Sequence, residues 1–162
     1  MAPLIEVRHL KKYFKTPRGM LHAVDDVTFS IGEGKTLGVV GESGCGKSTL
    51  GRTILGLTEA TEGTVTFQGT DVTHLKGSRW TELRRDMQII FQDPFSSLNP
   101  RMRVKDIIAE PLVTHRVCAG PAEREAEVYR LMDAVGLPRE YADRYPHEFS
   151  GGQRQRIGIA RA

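Results

Sequence analysis

Eight residues in the first third of the chain have types and spacing suited to gripping an anion. They are Gly41-Glu42-Ser43-Gly44-Cys45-Gly46-Lys47-Ser48, the pattern G-x-x-x-x-G-K-S. Gly41, Gly44 and Gly46 carry no Cβ, so the backbone can curve round a phosphate and turn several N–H groups inward. A helix starting after Gly46 would add its unpaired N–H groups and the positive end of its dipole. Lys47 supplies a compact full charge for the β- and γ-oxygens. Ser48 offers a hydroxyl, the hard oxygen ligand that Mg²⁺ prefers. With Ser43, Thr49 and Cys45, the last a small filler at a variable position, these residues form a candidate site for a nucleoside triphosphate and Mg²⁺.

A second anion-facing pattern lies about a hundred residues further on, at Ser150-Gly151-Gly152-Gln153. Ser150 is a good N-cap, and the residues after Gly152 suit a helix. Two glycines at a helix start expose backbone N–H groups, and the serine hydroxyl adds a donor. Taken alone, this is a capped helix. Taken with the loop at 41–48, it becomes a specific pattern.

The elements that must hold these residues follow from periodicity. Leu4, Ile5, Val7 and Leu10 read as a first strand over residues 4–10, and a Pro17/Gly19 turn leads to a second over 24–31 (Val24, Val27, Phe29, Ile31). Gly32-Glu33-Gly34 turns the chain into a short apolar run, Leu37, Val39 and Val40, predicted to be the buried strand that delivers the phosphate loop. Residues 49–57 read as a helix with Leu50, Ile54, Leu55 and Leu57 inward, 63–67 as a strand, 78–86 as a short charged helix and 87–91 as an apolar strand. After about residue 94 the pattern turns helical. One helix starts at 104–109 and is interrupted or kinked by Pro111. Another over 121–135 has Pro121 in its first turn, Val128, Leu131, Met132 and Val135 at helical spacing, and Gly136 as its stop.

Composition bounds the rest. A chain of 162 residues, 39% hydrophobic and 27% charged, suits a folded domain with a core. No apolar run approaches the ~18 residues of a membrane span, and residues 1–7 lack the regions of a signal peptide. A cytoplasmic protein is expected, with any membrane role supplied by a partner. The net charge of +3 is spread along the chain, so no nucleic-acid partner is expected. The two cysteines suggest no disulfide framework, and no Cys/His spacing suits a metal.

Taken together, residues 41–49 and 150–153 resemble the nucleotide-binding subunit of ATP-binding cassette (ABC) transporters, over essentially the whole chain. Residues 91–102 (Phe-Gln-Asp-Pro-Phe-Ser-Ser-Leu-Asn-Pro-Arg-Met) and 145–149 (Tyr-Pro-His-Glu-Phe) are more narrowly similar to the oligopeptide/dipeptide importer branch, which shares much with importers of nickel or other small solutes. The resemblance implies an α/β P-loop ATPase core with an N-terminal antiparallel β subdomain (residues 1–94), a helical subdomain (95–149) that docks on the membrane subunits, and a signature motif with the start of its helix (150–162). It implies ATP hydrolysis powering peptide import. Phe14 falls where an aromatic ring stacks on adenine, with Tyr13 as the neighbouring candidate; packing of both under the sheet is the plain structural alternative. Gln92 corresponds to the glutamine that touches Mg²⁺ or the attacking water, and it counts with Lys47 among the catalytic candidates. Ser150, Gly151, Gly152 and Gln153 correspond to the signature that closes on ATP bound by a second ATP-binding subunit, identical or different. Family signatures begin with Leu; here Phe149 stands in that place, with its side chain expected in the core. The implied partners are that second subunit, a pair of integral membrane permease subunits and, indirectly, an extracytoplasmic solute-binding protein, with this chain on the cytoplasmic face of the membrane.

Three other classes fit less well. A DNA-maintenance ATPase would place a long coiled coil between the two motifs, and no sustained heptads occur there. A translation-associated ATPase would carry two cassettes. A small P-loop kinase has no use for a Ser-Gly-Gly-Gln helix start. The resemblance also implies a later apolar strand ending in Asp-Glu and a switch histidine, which residues 1–162 do not contain; Asp93 and Glu148 are not substitutes. The expectation is a truncated copy whose central sheet lacks strands, which binds ATP weakly, turns it over negligibly and tends to aggregate.

Overall fold

The computed structural model describes residues 2–162, apart from the side chains of Pro94 and Phe95. The chain divides into two compact units, residues 1–80 and 81–162; the compositional change at about residue 94 falls inside the second.

The first unit is built on a four-stranded antiparallel sheet in the order β2-β1-β3-β4. Its strands are β1 (Ile5–Thr16), β2 (Gly19–Ile31), β3 (Glu62–Phe67) and β4 (Thr70–Asp71). β1 and β2 form a long hairpin from Ile5↔Ile31 to Thr16↔Gly19, turning at Pro17-Arg18. Simple alternation would send Val7 and Leu10 to opposite faces, yet both are wholly buried. The hairpin resolves this with a bulge. His9 and Asp26 both take left-handed backbone conformations (φ 49° and 52°), and His9 Nδ1 and Asp26 Oδ1 lie 2.7 Å apart. The register shifts between Val7 and Leu10, returning Leu10 to the inner face. Opposite the bulge stands Gly63, where a Cβ would come within 2.3 Å of the His9 carbonyl oxygen, so β3 can approach only as glycine.

On this sheet rests α1 (Lys47–Ile54), which packs on β1 and β2. Leu50 and Thr53 are its buried residues, and the Thr53 hydroxyl donates to the Thr49 carbonyl at 2.8 Å, so this buried polar side chain is satisfied. The helix ends in a Schellman arrangement: Gly56, at φ 61°, donates to Thr53 O, and Leu57 to Arg52 O. α2 (Ser78–Leu83) follows, with Trp80 buried.

The second unit is helical: α3 (Pro94–Ser97), α4 (Val104–Thr114), α5 (Pro121–Ala134) and α6 (Gly151–Arg161), with 3-10 turns at Arg139–Tyr141 and Pro146–Glu148. Ile107 and Ile108 of α4, Val128 and Met132 of α5, and Ile157 and Ala160 of α6 share one apolar core with Leu98, Leu137 and Phe149. α5 begins at Pro121 and stops at Gly136 (φ 68°), as its sequence predicts. Among the described residues, no helix is long and apolar enough to cross a membrane.

Three local expectations are corrected. Residues 37–40 form no strand: Leu37, Val39 and Val40 are 43%, 49% and 92% exposed. Residues 87–91 form none either, and Ile90 is 48% exposed although Met87 is buried. A strand is defined by its pairing, and among the described residues nothing pairs with either run. Pro111 does not interrupt its helix, the first of the two effects expected of it, because α4 continues to Thr114; the buried Val104, Ile107 and Ile108 hold it against the core before the proline is reached.

Candidate functional site

Residues 41–46 form an exposed loop that closes onto the start of α1. Two of its glycines have left-handed backbone that other residues resist, Gly44 at φ 83° and Gly46 at φ 99°. Gly46 is the N-cap of α1, and no side chain caps this end, so the first N–H groups of the helix face the loop. Gly46 also lies hard against β2: a Cβ there would come within 2.0 Å of the Ala23 carbonyl oxygen. The phosphate loop is thereby seated directly on the β1–β2 hairpin.

Lys47 turns its side chain back into this loop. Its ammonium donates to the Gly41 carbonyl at 2.8 Å and the Glu42 carbonyl at 2.6 Å, and lies 3.6 Å from Cys45 Sγ. The charge therefore sits inside the curve that the glycines make. Ser43 and Gly44 form the turn of the loop, and Cys45 is exposed. Ser48 and Thr49 lie in the first turn of α1, with Ser48 exposed. A bent backbone with free N–H groups, one ammonium and a nearby hydroxyl can hold a polyphosphate and one oxygen-seeking cation.

Phe14 lies on the same hairpin, paired with Leu21 and 38% exposed. The Lys12 ammonium stands 4.8 Å from its ring centroid, over one face. Tyr13 is engaged elsewhere. Its ring stacks on His22 with centroids 3.8 Å apart, and its hydroxyl donates to Asp25. That hydrogen bond raises the Tyr13 pKa above the ordinary phenol value and, as the largest of several causes, holds the Asp25 carboxyl below the usual carboxylate range. Of the two neighbouring aromatics, Phe14 is the one whose ring makes no such bond, since it has no polar atom to commit.

In the second unit, Ser150 caps α6 as expected. Its hydroxyl accepts from Gln153 N at 3.3 Å, and Gln153 Oε1 accepts from Ser150 N at 3.0 Å, a complete capping box. Gly151 and Gly152 form the first residues of the helix, with Gly152 exposed. Phe149 is buried in the core and meets Tyr141 edge-on at 5.5 Å, which is the orientation expected of it. The Arg154 guanidinium donates to the Phe149 carbonyl at 2.9 Å, fixing the entry to the helix. Gln92 is exposed in a bend after residues 87–91, not at the end of a strand.

Phe14 and residues 41–49 lie in the first unit, and Gln92 and residues 150–153 in the second. Sequence reasoning missed Lys12, His22, Asp25 and the Ala23 carbonyl, because their importance comes from hairpin register, which no local pattern announces. Among the described residues, no group of three or more His, Cys, Asp or Glu is arranged to hold a metal ion.

Known proteins resemble the chain in sequence and fold. The family model described as "ABC transporter" matches residues 24–162. The chain is similar to the "Oligopeptide transport ATP-binding protein OppF" of Bacillus subtilis (strain 168), at 60% identity over 161 residues, covering 98% of this chain and 52% of that one. It is 52% identical over 157 residues to the protein of the same name from Salmonella typhimurium, covering 97% and 47%. The chain spans about half the length of these curated relatives. In three dimensions it is similar to a solved "Dimeric structure of a post-hydrolysis state of the ATP-binding cassette MJ0796 bound to ADP and Pi", with a TM-score of 0.88 and 29% identity, covering 97% of this chain and 68% of that one. With a glycine-built phosphate loop on one unit, a capped Ser-Gly-Gly-Gln helix on the other, and a family match that includes both, the chain belongs to the ABC transporter family.

Proposed function

We propose that the chain is the nucleotide-binding portion of the ATPase subunit of a peptide importer. The observation that carries this reading is the cradle at residues 41–48, with Gly46 seated on β2 and the Lys47 ammonium held inside the loop. Loop and helix N–H groups bind the phosphates, and Lys47 offsets the charge that grows on the β–γ oxygens during transfer. Phe14 stacks on the adenine. Ser48 would offer Mg²⁺ its hydroxyl, a hard oxygen donor that fits it, and Gln92, taken by itself in the other unit, carries an amide oxygen of the same hard kind. The ion would supply positive charge that offsets the phosphates. Ser150, Gly151, Gly152 and Gln153 present a second set of N–H and hydroxyl donors to ATP bound by a partner subunit, so nucleotide joins the two faces and its hydrolysis separates them. Residues 95–149 form the part that docks on membrane permease subunits at the cytoplasmic face, beneath an extracytoplasmic solute-binding protein. Peptide as the cargo rests on the oligopeptide transport relatives.

Binding of a fluorescent ATP analogue with Mg²⁺ to the chain tests the site. Lys47→Ala removes a charged hydrogen-bond donor and weakens binding by about ten-fold or more. Unchanged affinity would overturn the reading.

A further inference from the structure

Phe14 sits where the sheet runs out of strands. β3 accompanies β1 only as far as Lys11↔Glu62. Beyond that point residues 12–16 and 19–24 form a two-stranded ribbon, an arrangement that is marginal in water by itself. The hairpin register also shifts on both sides of Lys12, between Leu10 and Lys12 and again between Lys12 and Tyr13. The direction in which the ribbon leaves the sheet, and so the placement of the Phe14 ring, is not set by a continuous ladder.

At that point stands a cluster to which the nucleotide site assigns no role. Tyr13 N donates to Thr61 Oγ1 at 2.9 Å, tying β1 to the residue just before β3. The Tyr13 ring stacks on His22, its cross-strand partner, at 3.8 Å and 15°. Its hydroxyl donates to Asp25 Oδ1, while Asp25 Oδ2 lies 3.4 Å from His22 Nδ1. Tyr13 is thus held through its side chain by two residues of β2 and through its backbone N–H by Thr61, next to Ala23, whose carbonyl seats Gly46.

We propose that Tyr13, His22 and Asp25 form a positioning clamp that sets the purine-stacking geometry of Phe14 and thereby tunes the affinity for the base without touching the nucleotide. This rests on Phe14 being the adenine platform. Lys12 covers one face of the Phe14 ring, so the clamp in effect aims the other face. The raised Tyr13 pKa and lowered Asp25 pKa are what a strong phenol–carboxylate bond produces.

The test separates base from phosphate. Calorimetry on the 162-residue chain measures binding of ATP and of inorganic tripolyphosphate, each with Mg²⁺. Phe14→Ala weakens ATP by about ten-fold, in the range of one lost base–aromatic stack, and leaves tripolyphosphate unchanged. Tyr13→Phe keeps the ring and removes only the hydroxyl. It weakens ATP by about three-fold, leaves tripolyphosphate unchanged and adds nothing in the Phe14→Ala background. Asp25→Asn does the same from the other side of the bond. If Tyr13→Phe and Asp25→Asn leave ATP binding intact while Phe14→Ala weakens it, the clamp is wrong and the adenine platform stands. If Phe14→Ala leaves the ratio of the two affinities unchanged, the platform itself fails. Equal losses for both ligands, or a loss additive with that of Phe14→Ala, would show a merely structural role and overturn the proposal.

Discussion

A single atom separates a working phosphate loop from a blocked one at Gly46. Its backbone is at φ 99°, and a Cβ would lie 2.0 Å from the Ala23 carbonyl oxygen, a backbone atom that cannot swing aside. Gly46→Ala must therefore push the loop off the hairpin as well as strain its own conformation. The expected result is loss of tripolyphosphate and ATP binding together, read by calorimetry. This differs from the base-selective effect at Tyr13. Retained affinity for tripolyphosphate in Gly46→Ala would contradict the seating of the loop on β2. Gly44, at φ 83° with open space where its Cβ would stand, bears only the conformational cost, so Gly44→Ala is the milder change.

At the scale of elements, the two functional helices are ended and begun by different devices. α1 has no side-chain cap at its start, which leaves its N–H groups for the loop, and a Schellman glycine at its end. Trp80, the single tryptophan, packs over that glycine, where a Cβ would come within 2.1 Å of the indole ring. Gly56→Ala should displace the indole and loosen the C-terminal end of α1. A red-shifted tryptophan emission and a lower Tm are expected; an unshifted spectrum would mean that Trp80 is not held there. α6, by contrast, is capped at its start by Ser150 and Gln153 and held at its side by Arg156, which donates to the Val135 and Gly136 carbonyls at the end of α5. Its first turn is thereby tied to the body of the helical unit, which suits the donor role proposed for it.

Over the whole molecule, exposed carboxyls are held by hydrogen-bond and ion-pair partners, and the pKa shifts of these carboxyls share a direction. Tyr13 holds Asp25 below the usual carboxylate range, Thr73 does so for Asp71, Arg130 for Glu127, Arg139 for Asp133, and Lys105 with Arg103 for Asp143. A carboxyl whose folded pKa is depressed adds stability above its unfolded pKa and loses it as pH falls through the folded one. Tm should therefore fall from about pH 5 downward, with each pair contributing little because it is solvent-screened. Asp143→Asn should reduce the slope of that decline. A flat Tm profile between about pH 6 and about pH 3 would contradict the pairing. Tyr13 has the opposite sign: its raised pKa preserves the phenol–Asp25 bond below the ordinary phenol value and loses it as pH rises through the folded one.

Local chemistry was legible from residue types alone. The glycine spacing and Lys47 announced the phosphate loop, Ser150 and Gln153 the capped helix, and Pro121 and Gly136 the ends of α5, because each acts within a few residues of itself. The base of the hairpin and the helix positions followed from periodicity for the same reason, whereas residues 11–16 and 19–23, which extend both strands, did not. What depends on a distant partner was not legible. Residues 37–40 and 87–91 have strand composition, yet a strand needs a neighbour to pair with, and among the described residues neither run has one. The bulge at His9 that buries both Val7 and Leu10, the seating of Gly46 on Ala23, and the hold of Asp25 on Tyr13 all join residues at least a dozen apart in sequence. Register decides them, and register is a property of two strands together that neither strand carries by itself.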